Sequence, residues 1–227
     1  MVTIIPAILP RNIRELEEDL GKVWSFTPRV QLDVVDGKFS KIKTVGPEVL
    51  TQIDTIVNFD VHLMVEEPER WIERCLLGGV ESIYGQVEMM KNRTAFIADT
   101  QAEGMGVGLA LDIETEVTHL EEVIHDLDAV LLMSSKAGGQ GRGFDQRVLA
   151  KIKAVRRLSK EVKIIVDGGL DEENIKRCIA ALWAEEIEEE ELNRSVAKLE
   201  FAVGSHLLTS SDVKAEWERL KRLESHT

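Results

Sequence analysis

The chain has 227 residues, 44% of them apolar and 30% charged, with a formal net charge of −13. One barrel or α/β domain can occupy that length with a substantial core. The acidity argues against a nucleic-acid backbone as partner, since such binding rests on clustered Lys and Arg, and no apolar run is long enough to cross a membrane.

Met1-Val2-Thr3-Ile4 has no basic region and leads directly into a strand, which argues against a secretory signal and for a cytoplasmic protein. Ile4 to Leu9 is the first apolar run. Asn12 with Glu15 three residues later has capping-box spacing and opens a helix through about Trp24. Val30-Gln31-Leu32-Asp33-Val34-Val35-Asp36-Gly37 is the second strand. Its alternation puts Gln31, Asp33 and Val35 on one face and Leu32 and Val34 on the other. An acid thus stands where a core residue belongs, and Asp33 needs a partner from elsewhere in the chain.

Gly46-Pro47-Glu48 starts a short helix, Phe59 to Met64 is the third strand, and Pro68 begins the amphipathic segment Glu69 to Leu77. A fourth strand, Ser82 to Val87, precedes a helix from about Lys91 to Glu103. The fifth strand is Val107 to Leu111. Val117, Leu120, Ile124 and Leu127 share one stripe and predict a helix over Glu114 to Leu127, followed by Ala129 to Met133 as the sixth strand. The loop Gly138 to Gly143 leads to a helix marked by Val148, Ile152, Val155 and Leu158. The seventh strand, Val162 to Asp167, ends at Gly168-Gly169. Asp171 caps a helix through Leu182, Phe201 to Ser205 supplies the eighth strand, and Asp212 to Leu223 is the last helix.

This alternation predicts an α/β fold, a parallel eight-stranded (β/α)8 TIM barrel, as a single domain over 1–227; an open doubly wound sheet is the alternative. An acidic run around 183–198 exceeds the short loop that a barrel needs there. It reads as a solvated helical insertion. Cys75 and Cys178 are far apart, lack C-x-x-C spacing and read as buried thiols.

Reactive groups in such barrels stand on the inward face at the C-terminal strand ends, where Asp33, His62 and Asp167 all fall. Two carboxylates and an imidazole converging in one mouth would hold a divalent cation, which would also offset the cost of burying their charge. Met64 and Met133 would line the same pocket or serve as core filler, two readings of equal weight. The glycines Gly138, Gly139, Gly141, Gly168, Gly169 and Gly204, with Ser205, follow the sixth, seventh and eighth strands, where backbone amides commonly bind phosphate. Such amides explain how an acidic protein can hold an anionic ligand. Lys136 and Arg142 read as solvent-facing loop charges.

Gln31 to Phe39, Gly46-Pro47, Asp60-Val61-His62-Leu63-Met64 with Glu67-Pro68-Glu69-Arg70, the glycine loop, Val166-Asp167-Gly168-Gly169 and Val203-Gly204-Ser205 resemble ribulose-phosphate 3-epimerase in order and approximate spacing. The resemblance implies a metal-dependent isomerase of the pentose phosphate pathway, interconverting ribulose 5-phosphate and xylulose 5-phosphate or a close analogue. It implies a phosphorylated ketose as substrate, Zn, Fe, Mn or Mg as divalent cofactor, and a homo-oligomer. Asp33 and Asp167 would be the acid/base pair and would ligate the metal with His62, while Gly169, Gly204 and Ser205 would hold the phosphate.

Two positions depart from the family's pattern. Gln31 stands where the family has a metal-binding histidine, so its carbonyl would be a weaker fourth ligand, and Ala7 stands where the family has a serine. These departures motivate the alternative of a catalytically impaired paralogue that binds a sugar phosphate as a sensor or interaction module. A related decarboxylase or aldolase ranks last, because the Asp-x-Lys-x-x-Asp of such decarboxylases is absent.

Overall fold

The computed structural model describes residues 2–139, 141–183, 196 and 198–223. Eight parallel strands close into a barrel in the order β1 to β8. They are β1 (Thr3–Ile8), β2 (Arg29–Val35), β3 (Asn58–Met64), β4 (Ser82–Gln86), β5 (Gly106–Leu111), β6 (Ala129–Met133), β7 (Lys163–Asp167) and β8 (Leu199–Val203). The helices are α1 (Ile13–Val23), α2 (Ile72–Leu77), α3 (Arg93–Ala102), α4 (Arg147–Leu158), α5 (Glu172–Trp183), α6 (Ser205–Leu208) and α7 (Val213–Lys221). The acidic insertion expected around 183–198 lies mostly outside the described residues.

Alternation along each strand separates two cores. Leu32, Val34, Val61, Leu63, Val130 and Leu132 face outward into the layer shared with the helices. Ala7, Val35, Met64, Tyr84, Ala110, Leu131, Met133, Ile165 and Ala202 fill the barrel interior. The helix starts follow their capping residues. Asn12 Oδ1 accepts from Glu15 N at 3.0 Å, while the Glu15 carboxylate accepts from Arg11 N at 2.8 Å. Asp171 Oδ1 accepts from Asn174 N at 2.8 Å, and Asp212 Oδ1 from Ala215 N at 2.9 Å.

The segment Glu114 to Leu127 departs from its predicted helix and forms two 3-10 turns, Val117–Leu120 and Ile124–Asp126. Its buried residues are 117, 120, 123, 124 and 127, a stripe compatible with either an α or a 3-10 period, and the chain takes the 3-10 turns. Lys151 Nζ also donates to the carbonyls of Asp112 and Thr115, at 2.6 Å each, at the entry to this segment. Pro47–Gln52 is likewise 3-10, as is Pro68–Trp71 before α2. β8 ends at Val203, so Gly204 and Ser205 begin the turn into α6.

The N-terminal end of the interior is closed by charge. Arg29 on β2 pairs with Asp60 of β3, reaches Glu200 of β8 at 2.8 Å and donates to the Tyr84 hydroxyl at 3.1 Å.

Candidate active site

Register places the interior groups. β2 pairs with β3 so that Asp33 stands opposite His62 and Val35 opposite Met64; Met133 stands opposite Asp167, and Asp167 opposite Ala202. Asp33, His62 and Asp167 are therefore brought together. Each offers a ligand atom, and these atoms lie within 4.8 Å of one another. Both carboxylates are 7% exposed and His62 is fully buried.

Gln31 sits one layer deeper, opposite Ala7 of β1. Its Nε2 donates to Asp33 Oδ1 at 2.9 Å and to Asp167 Oδ2 at 2.6 Å, so the amide spans the two acids. The other end, Oε1, is buried without a hydrogen-bond partner. His62 Nδ1 faces the same two oxygens at 3.3 and 3.6 Å, within ion-pair range but without hydrogen-bond geometry.

On the far side of the imidazole, Nε2 lies 3.1 Å from the Gln86 amide of β4. With that amide turned, Gln86 Oε1 accepts from His62 Nε2 while Gln86 Nε2 donates to Glu88 Oε2 and the Ala110 carbonyl. This network puts a proton on Nε2 and aims Nδ1 at the carboxylates. Gln86 was not singled out from the sequence, although its place two residues after Tyr84 at a strand end puts it on the inward face.

Burial and the neighbouring Asp167 charge push the Asp33 carboxyl up to about 6, against the opposing effect of His62. For His62, burial lowers the pKa, but the two carboxylates outweigh it and raise it to about 9. The cluster thus favours an imidazolium between two acids.

Above it opens a cavity of about 330 Å³. It is lined by Asp33, Met64, Met133, Asp167, Gly138, Gly139, Gly141, Gly168, Gly169, Gly204 and Ser205, which the sequence had singled out, and also by Ser135, Arg142, His206 and Thr209. The two methionines supply apolar wall beside the acids. Gly168 and Gly169 have φ of 107° and 57°, a left-handed path that glycine permits without Cβ strain. The Gly169 Cα also packs where a Cβ would meet Phe144 N at 2.5 Å.

Gly138 differs from the other glycines, because its N–H donates to Met64 Sδ at 3.1 Å and is unavailable to a ligand. Arg142 is exposed at the cavity edge, where its Nη1 donates to the carbonyls of Lys136 and Ala137. It pins the glycine loop as well as facing solvent.

The donor set fits a divalent cation through three ligands, two carboxylate oxygens and His62 Nδ1, with the imidazolium giving up its Nδ1 proton when a cation takes its place. Gln31 fits only if its amide turns so that Oε1 replaces Nε2.

A family model described as the ribulose-phosphate 3 epimerase family matches residues 3–184. The ribulose-phosphate 3-epimerase of Bacillus subtilis (strain 168) is 32% identical over 189 residues, covering 80% of this chain and 87% of that protein. Its counterpart in Encephalitozoon cuniculi is 35% identical over 180 residues, covering 78% and 82%, and that of Schizosaccharomyces pombe is 30% identical over 173 residues, covering 74% and 76%. Among solved structures, a designed cube-shaped porous protein cage built by fusing symmetric oligomeric domains matches with a TM-score of 0.60 and 15% identity, over 97% of this chain and 70% of that one. That likeness concerns the fold alone.

Proposed function

Because the chain belongs to the ribulose-phosphate 3-epimerase family, an isomerase family, we propose that it interconverts ribulose 5-phosphate and xylulose 5-phosphate by proton transfer between Asp33 and Asp167. The observation that carries this reading is the pair of nine-tenths-buried carboxylates facing one cavity with His62 between them. One carboxylate removes the C3 proton and the other returns a proton to the opposite face, leaving an enediolate between the two transfers.

Asp33, His62 and Asp167 would hold a divalent cation, which when bound supplies Lewis-acid stabilisation of the enediolate oxygens. Gln86 fixes the imidazole tautomer, and Met64 and Met133 exclude water beside the acids. Gly169, Gly204 and Ser205, with Gly139 and Gly141 across the cavity, would hold the phosphate. The Gly169 N–H makes no hydrogen bond among the described residues, whereas the Gly138 N–H is already engaged.

The test is incubation of the purified chain with D-ribulose 5-phosphate in D₂O with added Mn²⁺, Zn²⁺ or Fe²⁺. Xylulose 5-phosphate and deuterium at C3 are expected, and Asp33→Asn or Asp167→Asn should each cost about 10²–10⁴-fold in kcat. Neither product nor exchange from the unaltered chain would overturn the epimerase reading. The Gln31 amide lying across both acids favours one second reading, a sugar-phosphate binder without turnover. That reading predicts saturable binding of xylulose 5-phosphate and no exchange.

A further inference from the structure

Three polar residues lining the cavity are buried: Asp33, Asp167 and Ser135. The two acids belong to the proton-transfer pair, which leaves Ser135 without a role. It follows β6, and alternation from Met133 turns it inward while Ser134 turns away to donate to the carbonyls of Asp167 and Gly168. Ser135 is 5% exposed and lines the cavity. A hydroxyl in a cavity wall can both donate to and accept from a ligand hydroxyl.

Its place along the cavity is fixed by Gly168. A Cβ on that residue would fall 2.5 Å from Ser135 Oγ and 3.2 Å from Ser135 N, so the absence of a side chain at 168 gives the hydroxyl its room. Ser135 therefore stands at the step between Asp167 and Gly169. The other side chains near this level are apolar: Ala7, Leu9, Met64, Met133 and Ala202. Thr209, on the opposite rim, already donates its hydroxyl to the Ser205 carbonyl at 2.8 Å.

We propose that Ser135 Oγ binds the hydroxyl on the substrate carbon between the reacting carbon and the phosphate-bearing carbon, making this site selective for ketose phosphates that carry a C4 hydroxyl. This rests on the epimerase reading, which puts C3 beside Asp33 and Asp167 and the phosphate beside Gly169, Gly204 and Ser205. The carbon between them then passes Gly168 and Ser135. The contact is present before and during proton transfer, so it affects binding of ground state and transition state alike.

The experiment compares D-ribulose 5-phosphate with its 4-deoxy analogue on the unaltered chain and on Ser135→Ala. The unaltered chain should favour the hydroxylated sugar about 10-fold in kcat/KM, mostly through KM, the scale of one neutral hydrogen bond. Ser135→Ala should lose that factor on ribulose 5-phosphate and lose little on the analogue, so that its preference falls towards one. An unaltered chain that does not discriminate overturns the proposal, as does a Ser135→Ala protein that keeps the full preference. The first comparison needs no variant and stands even if Ser135→Ala fails to fold. Turnover of ribulose 5-phosphate by the unaltered chain separately tests the epimerase reading. If there is none, calorimetric affinities for the 4-hydroxy and 4-deoxy sugars carry the same expected ratio and the same overturning outcomes.

Discussion

At Gln31 the donor set and the observed hydrogen bonds pull in different directions. Its Nε2 bridges Asp33 and Asp167, while Oε1 is stranded. Turning the amide to offer Oε1 to a cation would give up the Nε2 bonds to both acids, at a cost of about 1–3 kcal/mol. Gln31→His removes that penalty and supplies an imidazole, so its affinity for Zn²⁺ should exceed that of the unaltered chain by about 10–100-fold. Competition against a chelating dye measures this directly, and equal affinities would show that position 31 does not govern metal binding. The residue type at position 31 was legible in the sequence, as were Asp33, His62 and Asp167 as strand-end polar groups. The direction of the amide was not, because it depends on two acids contributed by different strands. Gln86 and Ser135 were passed over for a similar reason: each is an ordinary polar residue until the barrel closes and its alternation is counted inward from a known strand.

Among the elements, the connection after β2 is tied to its neighbour by the Asp36 side chain. The Asp36 carboxylate accepts from Lys38 N at 2.8 Å, Phe39 N at 3.0 Å and Glu66 N at 2.7 Å, joining the 36–43 loop to the loop after β3. Burial alone would raise its pKa, but these three backbone donors prevail and hold it below the ordinary value. The stabilisation is therefore present above the unfolded-state value of about 3.9 and is lost as pH falls through the lower folded-state value. Asp36→Ala should cost on the order of 1–2 kcal/mol at pH 7, read from urea midpoints, and the gap from the unaltered chain should narrow as the pH falls below the ordinary carboxylate range. A gap that stays constant through that fall would assign the effect to packing instead. The alternation of strands and helices was readable because each strand is a short apolar run bounded by Gly, Pro or a cap. The segment 114–127 was misread because an α stripe through 117, 120, 124 and 127 coexists with a three-residue repeat through 117, 120 and 123. Lys151 Nζ holds the entry to the segment at the Asp112 and Thr115 carbonyls, a contact from α4 that the local pattern does not reveal.

Across the whole molecule, the barrel interior is polar at both ends. Its N-terminal end depends on Arg29, whose removal would leave Asp60, 2% exposed at its side chain, and Glu200, 10% exposed, without their cation. Arg29→Met should destabilise the fold by about 3–5 kcal/mol, whereas joint replacement of Arg29, Asp60 and Glu200 by apolar residues of similar volume should be close to neutral. Chemical denaturation of the two variants decides the matter, and a mild effect of Arg29→Met would mean that water already reaches the cluster. Among the described residues, no helix is long and apolar enough to cross a membrane. The closure of the ring also has a bearing on how the chain is made. β1 pairs with β8 from Thr3↔Glu200 to Pro6↔Val203, and Trp217 of α7 donates to the Ile4 carbonyl at 3.0 Å. During synthesis, the outer edge of β1 must therefore wait for nearly the entire chain to emerge from the ribosome. Until then β1 and β7 each present an open row of backbone donors and acceptors to any neighbouring nascent chain, so the hazard of misassembly is greatest just before the last strand arrives.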